Sequence, residues 1–359
     1  MPWYTAEGKD PHHILRSDAQ YIRNFASIPF SGRAAENQKC ALFSELEKLL
    51  EANGFKKEPI PQGTSHRLSY AEKGYLDTYG FICEDNGEIS DEYDRSLYFN
   101  EPCSLAVAVG GKDLLTIRAL LPGRAVKEAQ IIAREAEELF DKKFEFAYSS
   151  HFGYLSPSLE RCGSGETLSA ILFLPSISAF DEINILSRQC HGLGAALLPM
   201  FNHKGNPGDL YTLTYSPHHL SNRKAAAVGF DSIISSIIKK EKQYESIIFS
   251  EKSKIITDKA YRAMGIMLYA KRMSEAEMLS HLSSLRLLCA VIPDKKQEHP
   301  VALQKINLLF AECLNASVAA SDDSVKTQDE LEEKRAVKIS DLLTDKNSDT
   351  SPTSSSKKS

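Results

Sequence analysis

The chain has 359 residues, of which 42% are hydrophobic and 25% charged, and its formal net charge is −5. Such a composition supports a packed core in one or two domains. The acidic balance argues against a general nucleic-acid binder, and no apolar run reaches the ~20 residues of a membrane helix. The N-terminal residues lack the apolar centre of a secretion signal, so the chain reads as cytoplasmic. Seven cysteines stand at 40, 83, 103, 162, 190, 289 and 313. Their odd number, wide spacing and lack of any Cys-x-x-Cys weigh against a disulfide framework or a zinc site.

Residues 1–33 show little periodicity. AENQKCALFSELEKLLEANGF predicts an amphipathic helix with Leu42, Leu46 and Leu49 on one face and Gly54 as its stop. A loop-rich stretch follows to about Ser96. SLAVAVGGKDLLTIRALLPG (104–123) reads as two strands joined by a GGKD turn, and VKEAQIIAREAEELF (126–140) as a helix. The turn around Gly163-Ser164-Gly165 leads into a strand at 168–174. A helix over DEINILSRQCHGLG ends at Gly192 or Gly194, and AALLPMF and DLYTLTY pair as strands around NHKGNPG. Strands in hairpins with helices between them predict an α+β fold, a mainly antiparallel sheet flanked by helices, rather than a doubly wound sheet.

From about Ser221 four helical segments follow, at 221–247, 251–270, 274–290 and 299–315, with no strand between them. Beyond Ala319 the chain turns polar. QDELEEKRAVKISDLL predicts one more short helix, with Leu331, Ile339 and Leu342 apolar, and TDKNSDTSPTSSSKKS has the composition of disorder. The expected division is a sheet domain at 1–248, a helical C-terminal domain at 249–319 and a polar, mostly disordered tail at 320–359.

Residue types alone complete no catalytic constellation. The pairs His12-His13 and His218-His219 have no carboxylate or thiol at ligand spacing, so they read as loop histidines rather than metal ligands. Cys162, beside Gly163, is a candidate loop thiol with no histidine near it in sequence. KKEKQ at 239–243 reads as the solvated face of a long helix. Arg118 sits in an apolar strand, where it needs either a ligand or an ion-pair partner. The glycines at 163 and 165 let a ligand approach the backbone closely, which suits a phosphate, but Glu166 and Thr167 follow where positive charge is wanted.

HFGYLSPSLERCGSGETLSAILFLP resembles the nucleotide-site segment of the ATP:guanidino phosphotransferases, the family of creatine and arginine kinases. Four further segments agree with it in order. ILRSDAQYIRNFASIPF is similar to the family's N-terminal Ser-Ser-Arg-x-Arg segment, TIRALLPG to a strand before a Pro-Gly turn, and GDLYTLTYSPHHLS to a Gly-x-hydrophobic-aromatic strand. AYRAMGIMLYAKRMSEAEMLSHLSSLRL resembles the C-terminal helices of the bacterial branch, the protein-arginine kinases. The likeness spans roughly residues 12–315 and, more faintly, to 343. It implies a phosphagen-kinase-like catalytic domain followed by a smaller helical domain. It also implies transfer of the γ-phosphoryl of Mg-ATP to a guanidino nitrogen, with arginines clamping phosphates and glutamates holding the acceptor.

Carried over by position, those roles fall on unsuitable residues. Asp18 and Gln20 stand where the resemblance implies phosphate arginines, and Thr116 and Thr167 where it implies two more. Gly74 replaces a nucleotide-contacting histidine, Ser158 the reactive cysteine, and Gly110, Gly111 and Lys112 the acidic acceptor loop. A last arginine and glutamate align near Leu197 and Asn202. No catalytic residue is therefore assigned. The surviving nucleotide-site candidates are Arg23, Arg118, Gly163, Ser164 and Gly165, with Arg161 a further surrogate cation. The expectation is a binding or regulatory pseudokinase, which takes Mg-ATP only if some nucleotide-site function survives. The partner implied by the resemblance is a protein, a zinc-binding activator or a Clp-type unfoldase, with neither nucleic acid nor membrane. LEEKRA (331–336) retains Arg335 and Ala336 of the branch's phosphoarginine-sensing motif, and also reads as an ordinary charged helix. The alternative is an active protein-arginine phosphotransferase with a rearranged site, in which Asp113 or Glu166 replaces the lost glutamates.

Overall fold

The computed structural model describes residues 6–30, 32–58, 95–100, 104–201, 205–217, 223–292, 299–320 and 327–344. In chain order its strands are β1 (Ile14–Arg23), β2 (Lys56–Glu58), β3 (Arg95–Phe99), β4 (Leu105–Gly110), β5 (Leu115–Pro122), β6 (Tyr148–Ser149), β7 (Gly153–Tyr154), β8 (Glu166–Phe173), β9 (Ala195–Pro199) and β10 (Leu210–Tyr215). Its helices are α1 (Glu36–Ala52), α2 (Val126–Asp141), α3 (Pro175–Ala179), α4 (Ile183–Gly192), α5 (Arg223–Tyr269), α6 (Glu275–Val291), α7 (Leu303–Glu312), α8 (Asn315–Ala320) and α9 (Gln328–Thr344). Eight strands form one antiparallel sheet in the order β2-β3-β4-β5-β1-β8-β10-β9, and β6 and β7 form a separate small hairpin. The α+β architecture expected from the hairpin pattern is the one observed.

The centre of the sheet is β1, in a stretch that shows little periodicity as sequence. Its residues ILRSDAQYIR are almost all buried, including Arg16, Ser17, Asp18 and Arg23. Buried charges erase the polar-apolar alternation that marks a half-exposed strand. The GGKD turn is tight because Gly110 and Gly111 take φ of +95° and +100°, the left-handed region that side chains avoid.

Alternation along the strands sends side chains to two cores. On one face Tyr21, Ile117, Ala119, Leu168 and Ala170 pack against Leu42, Leu46 and Leu50 of α1, Ala129, Ala133 and Phe140 of α2, and Phe230, Ile234 and Ile237 of α5. On the other, Leu15, Leu120, Ile171, Phe173 and Leu210 pack against Ile256, Ala260 and Met267 of α5, with Leu282 and Leu285 of α6 and Leu309 and Phe310 of α7. Helix α5 therefore serves both faces. Its two ends were expected as separate helices at 221–247 and 251–270; they join in one helix bent at Lys252, where φ is −130° and ψ 21°. The kink lets the apolar stripe change partner along a single element.

Two polar stretches are less solvated than their composition implies. In KKEKQ, Glu241 is fully buried and accepts from the Ser176 and Ile177 N–H groups at 2.7 and 3.0 Å, capping α3. Burial pushes this carboxyl up to about 8, against the pull of those two N–H groups. In α9, Arg335 is fully buried and donates to the Cys313 and Met273 carbonyls at 2.8 and 2.7 Å and to Asn315 Oδ1, while Ala336 and Ile339 join the second core. Among the described residues no helix is long and apolar enough to cross a membrane.

Candidate functional site

The strand register collects the residues that the phosphagen-kinase resemblance marks. Gln20 of β1 lies opposite Arg118 of β5 on one side and Thr167 of β8 on the other. One row along, Asp18 faces Leu120 and Ser169; one row the other way, Ile22 faces Thr116. Directly opposite residues of an antiparallel pair share a face, so Asp18, Gln20, Thr116, Arg118 and Thr167 converge although up to 149 positions separate them. They share the sheet face that carries the second core. Gln20, Thr116 and Thr167 are half-buried, and Thr167 Oγ1 meets Ser216 Oγ at 3.1 Å.

On this face Arg16 and Arg118 both pair with Asp18. Arg118 donates through Nη2 to Asp18 Oδ2 at 2.8 Å and through Nη1 to Gln20 Oε1 at 3.2 Å. Arg16, which composition and spacing had not flagged, sits two residues before Asp18 on the same strand face. It reaches Oδ2 through Nη2 at 3.1 Å and Oδ1 through Nε at 2.7 Å. Ser169 Oγ adds a donor to Oδ2 at 3.0 Å. Asp18, Arg16 and Arg118 are only 1%, 4% and 6% exposed. Burial alone pushes the Asp18 carboxyl up, but the two guanidinium charges and their hydrogen bonds together outweigh it and hold the group below its ordinary value. The i, i+2 spacing of Arg16, Asp18 and Gln20 is the signal that could have revealed the cluster.

Arg23 is not part of this constellation. It turns to the opposite face, is fully buried, and donates to Glu137 Oε1 at 2.6 Å, to the Ile22 carbonyl at 2.6 Å and to the Ser164 carbonyl at 3.2 Å. Its guanidinium carbon lies 3.5 Å from the centroid of the Tyr154 ring. The turn at 163–165 rests on that arginine. Gly165 has φ +58°, and a Cβ there would meet Arg23 Nη1 at 2.4 Å and the Ile22 carbonyl oxygen at 2.8 Å. Gly163 bridges to Tyr154, donating to its carbonyl at 3.1 Å and accepting from its N–H at 2.8 Å. Ser164 Oγ donates to the Pro217 carbonyl and accepts from the Glu166 N–H at 3.1 Å. The glycines thus serve close packing of the turn, and the structure brings Gly163, Ser164 and Gly165 together with Arg23 but not with Arg118.

The substitute acids are likewise engaged. Glu166 points to the helix face and accepts from Tyr21 Oη at 3.0 Å and Gln130 Nε2 at 2.6 Å. Asp113 accepts from Asn24 Nδ2 at 2.7 Å and Ser156 Oγ at 2.8 Å, and pairs with Arg161 at 3.1 Å. Cys162 Sγ accepts from the Ser156 N–H at 3.3 Å. His13 forms a buried pair with Glu245 at 2.9 Å. Leu197 is buried in the first core. Gly74, Cys83, Cys103, Asn202, His218 and His219 lie outside the described residues.

Comparison with known proteins agrees with this architecture. The family model for the ATP:guanido phosphotransferase C-terminal catalytic domain matches residues 62–244, just over half of the chain, and that for the protein-arginine kinase McsB C-terminal domain matches residues 253–354. A protein-arginine kinase of Halothermothrix orenii is 23% identical over 286 residues, covering 79% of this chain and 81% of its own. One from Exiguobacterium sp. is 26% identical over 195 residues, covering 54% and 56%. Among solved structures, lombricine kinase superposes with a TM-score of 0.53 at 12% identity, covering 67% of this chain and 69% of its own. The substrate-free duplicated taurocyamine kinase from Schistosoma mansoni gives 0.51 at 15% identity, covering 67% of this chain, which spans about a third (35%) of that longer protein. The two family models follow one another along the chain in the order sheet region, helical region, and on that ground the chain belongs to the protein-arginine kinase branch of the ATP:guanido phosphotransferase family.

Proposed function

We propose that the chain is a catalytically impaired member of that branch, a cytoplasmic pseudokinase that acts by binding or regulation rather than by phosphoryl transfer. One observation carries the reading: on the face where a triphosphate would need cations, two arginines, Arg16 and Arg118, both contact the carboxylate of Asp18. The other positions of the implied clamp hold Gln20, Thr116 and Thr167, which carry no charge. A bare carboxylate about 5 Å from a phosphate would repel it by about 3 kcal/mol at an effective dielectric of about 20, and here that charge is offset by the two guanidiniums, which it withholds from a ligand. Catalysis of this kind depends on cationic groups held ready for charge that develops in transit, and here the cations are already neutralised.

The alternative, an active arginine phosphotransferase with substitute acids, has less support. Asp113 and Glu166 each accept two hydrogen bonds from neighbouring side chains, and Glu166 lies on the opposite face of the sheet. The partner we propose is a protein of the kind suggested by the branch resemblance, a zinc-binding activator or a Clp-type unfoldase. Calorimetric titration with Mg-ATP tests the reading. Binding weaker than ~1 mM, less than about 4 kcal/mol, is expected. Micromolar binding, or phosphoarginine formed on an arginine-rich substrate, overturns it.

A further inference from the structure

We infer that Asp18 is a built-in ligand: its carboxylate fills, from within the chain, an oxyanion site made by Arg16, Arg118 and Ser169. The site has the form of a receptor. Three side chains from the adjacent strands β1, β5 and β8 each donate to one carboxylate oxygen, Asp18 Oδ2, at 3.1, 2.8 and 3.0 Å, and Arg16 Nε makes an ion-pair contact with Oδ1 at 2.7 Å. All three are buried, so the donors were desolvated on folding and are held by the sheet rather than by solvent. Gln20 Oε1 is the neutral acceptor that takes one more Arg118 N–H. This is the donor set that recognises a small free oxyanion, here satisfied by a tethered one. The tether makes occupancy permanent, because the carboxylate is present at a local concentration that no free anion matches. The inference deepens the pseudokinase reading and rests on it for its consequence, that anionic partners are kept off this face by the chain's own side chain.

The class of ligand follows from the space. Removing the Asp18 carboxylate leaves room for one small planar oxyanion, and formate restores the atoms that Asp18→Ala deletes. The experiment is thermal unfolding of the full chain in sodium formate against equal sodium chloride. Asp18→Ala should be stabilised by formate in a saturable way, with Tm rising by at least ~2 °C over the chloride control. The parent and Asp18→Asn, in which the position stays filled, should show no such rise, and Asp18→Ala with Arg118→Met should lose at least half of it. An equal formate response in the parent and Asp18→Ala, or none in a folded Asp18→Ala, overturns the assignment. Where Asp18→Ala is recovered unfolded, refolding in formate but not in chloride supports it. Failure to refold in both, while Asp18→Asn folds, overturns it. Failure here leaves the Mg-ATP titration of the parent untouched, so the two readings fall separately.

Discussion

The two faces of the sheet around β1 solve one problem in two ways. On the helix face, Arg23 is enclosed by Glu137, backbone carbonyls and the Tyr154 ring. On the opposite face, Arg16 and Arg118 enclose Asp18. The first is a structural network of a kind any fold can use beneath a turn. The second lies where the family resemblance implies an open, cation-rich cleft, and there the cations meet a carboxylate of the chain itself. Both clusters hold buried guanidiniums, but the first braces a turn and the second occupies the face that the family resemblance assigns to a ligand.

The largest expected effect is at Arg23. Arg23→Met should destabilise the protein by about 3–5 kcal/mol, because the buried Glu137 loses its guanidinium partner. Urea unfolding measures it, and a loss under ~1 kcal/mol would make the helix-face network dispensable. Asp18→Asn should cost about 3 kcal/mol by removing the buried charge that Arg16 and Arg118 both contact. Its pH dependence has a definite sign. The folded-state carboxyl lies below its ordinary value of 3.8, so its stabilising share is present above that value and is lost as pH falls from there toward the lower folded value. The parent should therefore lose stability below about pH 4 more steeply than Asp18→Asn.

Gly165→Ala should cost about 2 kcal/mol, the sum of a left-handed φ and a clash with the Ile22 carbonyl. A neutral outcome would detach the 163–165 turn from Arg23. Glu241 supplies a contrast to Asp18, because its carboxyl is raised to about 8. Between its ordinary value of 4.5 and about 8 the folded state holds the proton more tightly than the unfolded one, so this group lowers stability as pH rises through that window. Glu241→Gln should flatten the fall between pH 5 and 8, which this group steepens by up to about 1.4 kcal/mol per pH unit. Urea midpoints at the two pH values read it directly.

The smallest effect is a gain. Gln20→Arg with Thr167→Arg places two new cations side by side across the β1–β8 register. Mg-ATP affinity should rise at least tenfold, about 1.4 kcal/mol, with phosphoryl transfer still absent. Calorimetry on the folded variant decides it. No gain would mean that this face does not receive a nucleotide even when charged.

Most of the elements were legible in the amino-acid order, because periodicity is local. Leu42 and Leu46 mark the buried face of α1, the glycines of GGKD mark a hairpin, and the motif order marks the family. β1 was not legible, since charges that find partners across strands look, one residue at a time, like charges in water. Glu241 was misread as solvated for the same reason: its donors are N–H groups 64 and 65 positions away. Sequence by itself determined the α+β class, the branch and which implied clamp positions lack an arginine. Only the tertiary structure decided what the remaining arginines do. Strand register put Arg118 opposite Gln20, next to the Asp18 carboxylate, and the pleat turned Arg23 the other way. In a buried sheet the fate of a charge is set by its neighbours on the adjacent strands, and those neighbours come from residues more than 90 positions distant in the chain.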